Sequence, residues 1–287
     1  MIKGKNMPFD VFSIIISSLI IFISIYPFYY ILVLSLNEGM DTRMGGVYFW
    51  PRAFTLENYT QILNDAKWLN GLLISVLRAT IGTVISVFFT SIFAYAISPS
   101  WLRFRKFYRG WLIVAMYVSG GLIPTYMVFT AIKITNSFLI YIVPSALDYF
   151  FVLIFLTYYR TIPPSLREAT LIDGASESRV FFDVILRIST PILATYALFS
   201  AVTQWNSYFD AVIYVHRQEL RPLAYLLVEV LNRSNTSQFS PYGNAASFTT
   251  QSLQMACVII AIAPIVALYP FLQKYFSKGI MLGAVKE

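Results

Sequence analysis

Apolar residues run along this chain in six long stretches separated by polar loops. The stretches cover residues 11–36, 71–97, 110–132, 138–159, 191–213 and 251–271. Each holds at least the ~20 mostly apolar residues that a helix needs to cross ~30 Å of hydrocarbon, so the pattern predicts six membrane-spanning helices. The first stretch is too long for a signal peptide and no small-residue cleavage site follows it, so it reads as a retained helix. The longest mixed-charge segment, residues 163–191, separates the fourth stretch from the fifth. Pro163 and Pro164 cannot continue the preceding helix, because proline lacks the N–H and clashes with the turn before it. Ser165 and Glu168 have capping-box spacing, which predicts a new helix. Asp173-Gly174 ends it, and Ser176 or Asp173 then caps a second helix through Phe181, Phe182, Val184, Ile185 and Ile188. Two short amphipathic helices joined by a glycine turn have no core of their own and call for a partner groove.

Composition supports the membrane reading. Hydrophobic residues make up 57% and charged residues 12%, with a mean hydropathy of +0.66; soluble domains carry about 25% charged residues. The single cysteine, Cys257, excludes an intramolecular disulfide, and the single histidine, His216, excludes a multi-histidine metal site. The fold class is therefore an all-α membrane protein with six transmembrane helices.

Basic residues set the orientation. Lys3 and Lys5, then Arg103, Arg105, Lys106 and Arg109, then Arg160, Arg167, Arg179 and Arg187, then Lys274, Lys278 and Lys286 all fall on one side. The opposite loops carry fewer in slightly more residues, so both termini are predicted to be cytoplasmic. The net charge of +7 follows from this bias, and nucleic-acid binding is not needed to explain it. The division of the chain is then a cytoplasmic N-terminus (1–10), a first span (11–36), an outer loop (37–70) and a core (71–272). The core holds an inner loop (160–190) and a second outer loop (214–250), and a cytoplasmic tail (273–287) follows it. Trp50, Tyr59 and Trp68 suit an interfacial stretch in the first outer loop. Asn58, Asn232 and Asn235 begin N-x-[ST] patterns too common by chance to carry weight.

The inner loop also carries a resemblance. Glu168-Ala169-Thr170, Asp173-Gly174-Ala175-Ser176, Phe182 and Pro191 resemble the EAA loop of bacterial and archaeal ABC importer permeases, the coupling helix that docks into a cleft on the ATPase subunit. Two positions depart from that pattern. Thr170 replaces the usual second alanine, and Arg187 stands where proline is frequent, which predicts a more regular second helix. Gly120 to Tyr126, Trp205 to Ala211 and the tail motif from Gln273 to Lys286 are similar to one group, the carbohydrate permeases of the maltose-permease G-subunit type, in particular the branch tied to complex oligo- and polysaccharides. The resemblance covers nearly the whole chain. It implies a type I importer permease fold and pairing with a second, different permease. It also implies two cytoplasmic ATPase subunits that hold ATP and Mg, and an extracytoplasmic solute-binding protein that delivers saccharide. No cofactor is implied in this chain. Its ATPase-coupling residues are then Glu168, Ala169, Asp173, Gly174, Ala175, Phe181 and Phe182. The setting implied is a bacterial cell membrane, with membrane lipid around the spans.

The chain has no G-x-x-x-x-G-K-[ST], G-x-S-x-G or H-E-x-x-H motif, which points to a transport subunit drawing energy from a partner rather than to an enzyme. Charges inside the predicted spans are costly, about 2.5–3.5 kcal/mol each on insertion scales, so Arg78 and Asp148 must face protein or water. They either form a structural ion pair, with each other or with a neighbour, or line the substrate pathway; Arg78 has the further option of snorkelling outward. Gln204, Trp205, Asn206, Tyr208 and Asp210 crowd half of the fifth stretch. Amides, carboxylates and aromatic faces are what a sugar requires, and the same groups can equally knit helices together. Gly120, Gly121 and Pro124 suit close approach or a kink in the third stretch. Two alternatives stand beside the sugar importer. One is an ABC permease for a non-sugar solute. The other is an ion-coupled carrier or membrane enzyme, for which neither the intramembrane carboxylates nor a nucleophile–base cluster stands out.

Overall fold

The computed structural model describes residues 7–237 and 251–279. Lys3, Lys5, the tail beyond Gly279 with Lys286, and the 238–250 part of the second outer loop lie outside the described residues.

All regular structure among the described residues is helical. In chain order the helices are α1 (Met7–Ser35), α2 (Gly39–Met44), α3 (Glu57–Asn64), α4 (Ala66–Ala96), α5 (Arg105–Tyr117), α6 (Leu122–Ala131), α7 (Leu139–Ile142) and α8 (Tyr149–Tyr159). They continue with α9 (Pro164–Ile172), α10 (Glu177–Arg179), a π-helical turn (Val180–Ile185), α11 (Leu186–Ile188), α12 (Thr190–Asn206), α13 (Phe209–Tyr214), α14 (Leu223–Ser237) and α15 (Gln251–Gly279). The described residues group into two compact units, those of 1–68 with 227–264 and those of 69–226 with 265–287.

In the first unit, α1 is apolar all round and exposed along Val11 to Phe28, so its apolar surface is left for lipid or another chain to cover. Pro27 sits inside it, as membrane helices tolerate. The loop that follows is built on buried Asn37. Its amide donates to Asp41 Oδ2 (2.9 Å) and Thr42 Oγ1 (2.8 Å), while its carbonyl oxygen accepts from Ala53 N–H (2.8 Å). Asn58 is buried and donates to the Ser35 and Asn37 carbonyls (2.9 and 3.1 Å), which accounts for that asparagine structurally. The interfacial stretch expected here is thus a folded polar knot, with Trp50 exposed at its surface.

The second unit is organised around α4. Its buried positions, Gly71, Ile74, Ser75, Arg78, Gly82, Thr83, Ser86, Thr90, Ser91 and Ala94, recur every three or four residues along one face. Small residues there let other helices approach closely, and the hydroxyls hydrogen-bond across. Ser91 Oγ meets the Tyr159 hydroxyl at 2.6 Å, and Ser86 Oγ meets the Tyr196 hydroxyl at 2.6 Å.

Among the described residues two continuous helices, Asp10–Ser35 and Ala66–Ala96, are long and apolar enough to cross a membrane. Two bent pairs extend this to four. The α5–α6 pair bends by 109° and the 177–188 and α12 pair by 81°. Gly121, at φ +81°, makes the first bend possible. Pro191, in the first turn of α12, opens the second. The fourth stretch, expected as one helix, is two short ones. Pro144 interrupts it, and Asp148, expected near mid-helix, is the N-cap of α8, its carboxylate accepting from Phe151 N–H (3.1 Å). The fifth stretch breaks again at Ser207-Tyr208.

Candidate functional site

Three places in the second unit carry the chemistry: an internal ion-pair lock, a cleft beside it, and the inner loop.

The lock is centred on Arg78. Its side chain is 3% exposed, so the snorkelling option does not hold, and its partner is Asp210 rather than Asp148. The guanidinium forks onto both Asp210 oxygens. Its Nε donates to Gln204 Oε1 (2.8 Å), Nη1 also donates to the Ser207 carbonyl (3.0 Å), and the Tyr141 ring lies 4.4 Å from its Cζ. The physical reason for this partner is the break in the fifth stretch. A helix end leaves its last carbonyls without intrahelical donors, and Arg78 supplies one to Ser207, the C-cap residue of α12. Gln204 passes the network on, donating to Ser145 Oγ (2.6 Å) and the Tyr141 carbonyl (3.3 Å). Gly82 leaves room for it, because a Cβ there would stand 2.9 Å from Gln204 Nε2 and push the amide off its partners.

The cleft, about 350 Å³, lies between α4, the Pro144–Phe151 segment and α12. Of the residues singled out in the sequence, Asp148 and Gln204 line it, while Trp205, Asn206, Tyr208, Asp210 and Arg78 do not. Sequence reasoning missed Tyr196, Phe199, Ser200 and Thr203. With Gln204 they fall at helical spacing on one stripe of α12, a pattern that was available to be read.

In the inner loop, α9 begins with Pro164 at its first position, where a missing N–H costs nothing. The expected Ser165–Glu168 capping box is absent, because Pro163 occupies the N-cap and no side chain caps the helix. Glu168 and Ala169 are exposed, and Glu168 has no hydrogen-bond or ion-pair partner among the described residues. Gly174 turns the chain at φ +84°, with nothing within 4 Å of where a Cβ would be, and Ser176 caps the next helix by accepting from Arg179 N–H (3.4 Å). Asp173 is the C-cap of α9, and Ala175 is half-buried.

The second helix is not the more regular one expected from Arg187. It winds into a π turn over Val180–Ile185, which brings Val180, Phe181 and Ile185 to one buried side. They pack with Ala94, Ile97, Val152, Phe155, Tyr159 and Tyr196 in the largest apolar cluster of the unit. So half of the inner loop has a core after all. The other half does not: Ile172 is 85% exposed and Phe182 is 48% exposed, although Phe182 stacks on Phe88 at 6.3 Å. The two halves are tied by Arg167, which pairs with Glu177 and lies 5.4 Å above the Trp101 ring, while the Tyr95 hydroxyl donates to Glu177 (3.0 Å). The Arg167 hydrogen bonds hold the Glu177 carboxyl below the usual carboxylate range.

Comparison with known proteins gives these features a family. No family model matches the chain. It is 33% identical over 280 residues to Protein LplC of Bacillus subtilis, covering 97% of this chain and 95% of that one. It is 33% identical over 286 residues to the polygalacturonan/rhamnogalacturonan transport system permease protein YtcP of the same organism, covering 98% and 99%. The fold matches, at a TM-score of 0.86 and 22% identity over 96% of this chain and 99% of the other, a chain of a bacterial ABC transporter involved in the import of the acidic polysaccharide alginate. The chain belongs to the permease family of carbohydrate ABC importers.

Proposed function

We propose that this chain is the transmembrane permease subunit of a binding-protein-dependent importer that moves oligosaccharides or polysaccharide fragments into the cytoplasm. In this reading six spans cross a bacterial cell membrane with both termini inside. The broken stretches 110–132, 138–159 and 191–213 each count as one span, residues 177–188 stay in the inner loop, and the outer loop, core, inner loop and tail divide as the polarity pattern predicts. A second permease completes the pathway, a solute-binding protein delivers the sugar, and two ATPase subunits carry ATP and Mg. This chain has no catalytic residue and needs no metal.

The observation that carries the reading is the split character of the inner loop. One half is anchored in the core by Phe181, and the other presents Glu168, Ala169, Ile172 and the Gly174 turn unpartnered. An apolar side chain left 85% exposed on a short helix is stabilised by a partner groove, and an anchored second half transmits motion of that groove to α4 and α8.

The test is ATPase activity of the complex reconstituted in nanodiscs with its neighbouring permease, ATPase and binding protein. Stimulation that requires both binding protein and an oligosaccharide is expected. Gly174→Asp, which costs about 1–2 kcal/mol of left-handed backbone strain at most, is expected to leave assembly intact and remove that stimulation. Stimulation by a non-sugar solute alone, or normal coupling in Gly174→Asp, would overturn the reading.

A further inference from the structure

We propose that the cleft beside the Arg78 lock is a subsite for an uncharged sugar ring, and that Asp148 makes it reject uronates. The inference rests on the importer reading above. At about 350 Å³ the cleft falls at the low end of small-ligand sites, which run from about 300 to 1,000 Å³. None of its lining residues is Lys, Arg or His. The cation nearest in the network, Arg78, does not line the cleft and is engaged by Asp210, Gln204 and the Ser207 carbonyl. Asp148 is the one charged residue in the lining, and no ion pair among the described residues involves it.

Its Oδ1 is occupied by Phe151 N–H, which leaves Oδ2 as an acceptor. Sugar hydroxyls are donors that suit such an acceptor. The Tyr149, Phe151 and Phe199 rings offer apolar faces to the C–H surface of a pyranose, and Ser200 and Thr203 add hydroxyls on the α12 side. A uronate would place a second carboxylate against Asp148 with no cation in this chain's lining of the cleft to offset it, and like charges in a partly desolvated cleft repel strongly. Specificity by an unpaired like charge is a recurring device.

Asp148→Asn isolates the charge, because asparagine caps a helix as well as aspartate does. Uptake is measured in proteoliposomes holding the full complex, with neutral and uronate-containing oligosaccharides of matched length. In the wild type the neutral sugar is expected to enter about tenfold faster or more. Asp148→Asn is expected to narrow that ratio to about threefold or less, with unchanged thermal stability of the complex. Equal uptake of both sugars by the wild type, or a ratio unmoved by Asp148→Asn, would overturn the subsite. Failure of every saccharide of either charge to enter would instead overturn the importer reading itself.

Discussion

Replacing Arg78 with methionine lowers the stability of the second unit by about 3 kcal/mol, the low end for a broken buried pair, because it leaves the half-buried Asp210 carboxylate without its cation. Asp210 sits at 23% exposure in the first turn of α13, and Arg78 satisfies it together with the orphan carbonyl of Ser207. With Gln204 Oε1, one substitution therefore takes a donor from four acceptor atoms at once. Thermal unfolding of the purified complex in detergent reads the effect. Asp210→Asn is expected to cost less, since an amide oxygen still accepts from the guanidinium. The double variant Arg78→Met with Asp210→Leu is expected to recover part of the loss, as replacement of a whole buried pair by apolar groups often does. A double variant no better than Arg78→Met alone would show that the pair does more than neutralise itself.

The second large effect separates the two halves of the inner loop. Phe181 is 2% exposed within the main cluster, and Phe181→Ala is expected to cost about 3–5 kcal/mol through lost burial and a residual cavity. Ile172→Ala removes a side chain that touches little in this chain and is expected to change stability by less than about 0.5 kcal/mol. Yet Ile172→Ala is expected to abolish stimulated ATPase activity as fully as Phe181→Ala does. Unfolding midpoints and ATPase rates measured on the same preparations distinguish the two. A stability loss in Ile172→Ala comparable to that of Phe181→Ala would mean that the loop has no free docking face.

These contrasts show what was legible in the residues alone. The apolar stretches, the Gly174 turn and the Ser176 cap followed from local chemistry, because turns and caps are set by a few adjacent side chains. The break before Asp148 was marked by Pro144, but the length of the apolar run outweighed it. Choosing the pathway residues by closeness along the fifth stretch grouped Trp205, Asn206 and Tyr208 with Gln204, whereas a helix divides neighbours among its faces. The stripe Tyr196, Phe199, Ser200, Thr203 and Gln204 was present at the right spacing and went unread. The Arg78–Asp210 pair joins residues 132 positions apart, so only the packed helices reveal it. The π turn at Val180–Ile185 has no local signature. It arises because Val180, Phe181 and Ile185 must all reach the same cluster.

The central claim is that α9 and its glycine turn form the docking face for a cytoplasmic ATPase. Cys257 is the chain's single cysteine and is buried, so a Cys257→Ala background carrying Ile172→Cys places one reactive thiol at the tip of that face. The measurement is cross-linking from position 172 in intact membranes containing the whole complex. The expected result is a cross-link to the ATPase subunit, with no labelling by a membrane-impermeant thiol reagent added from outside. Labelling from outside, or the absence of any cross-link to the ATPase in an assembled and active complex, would contradict the account.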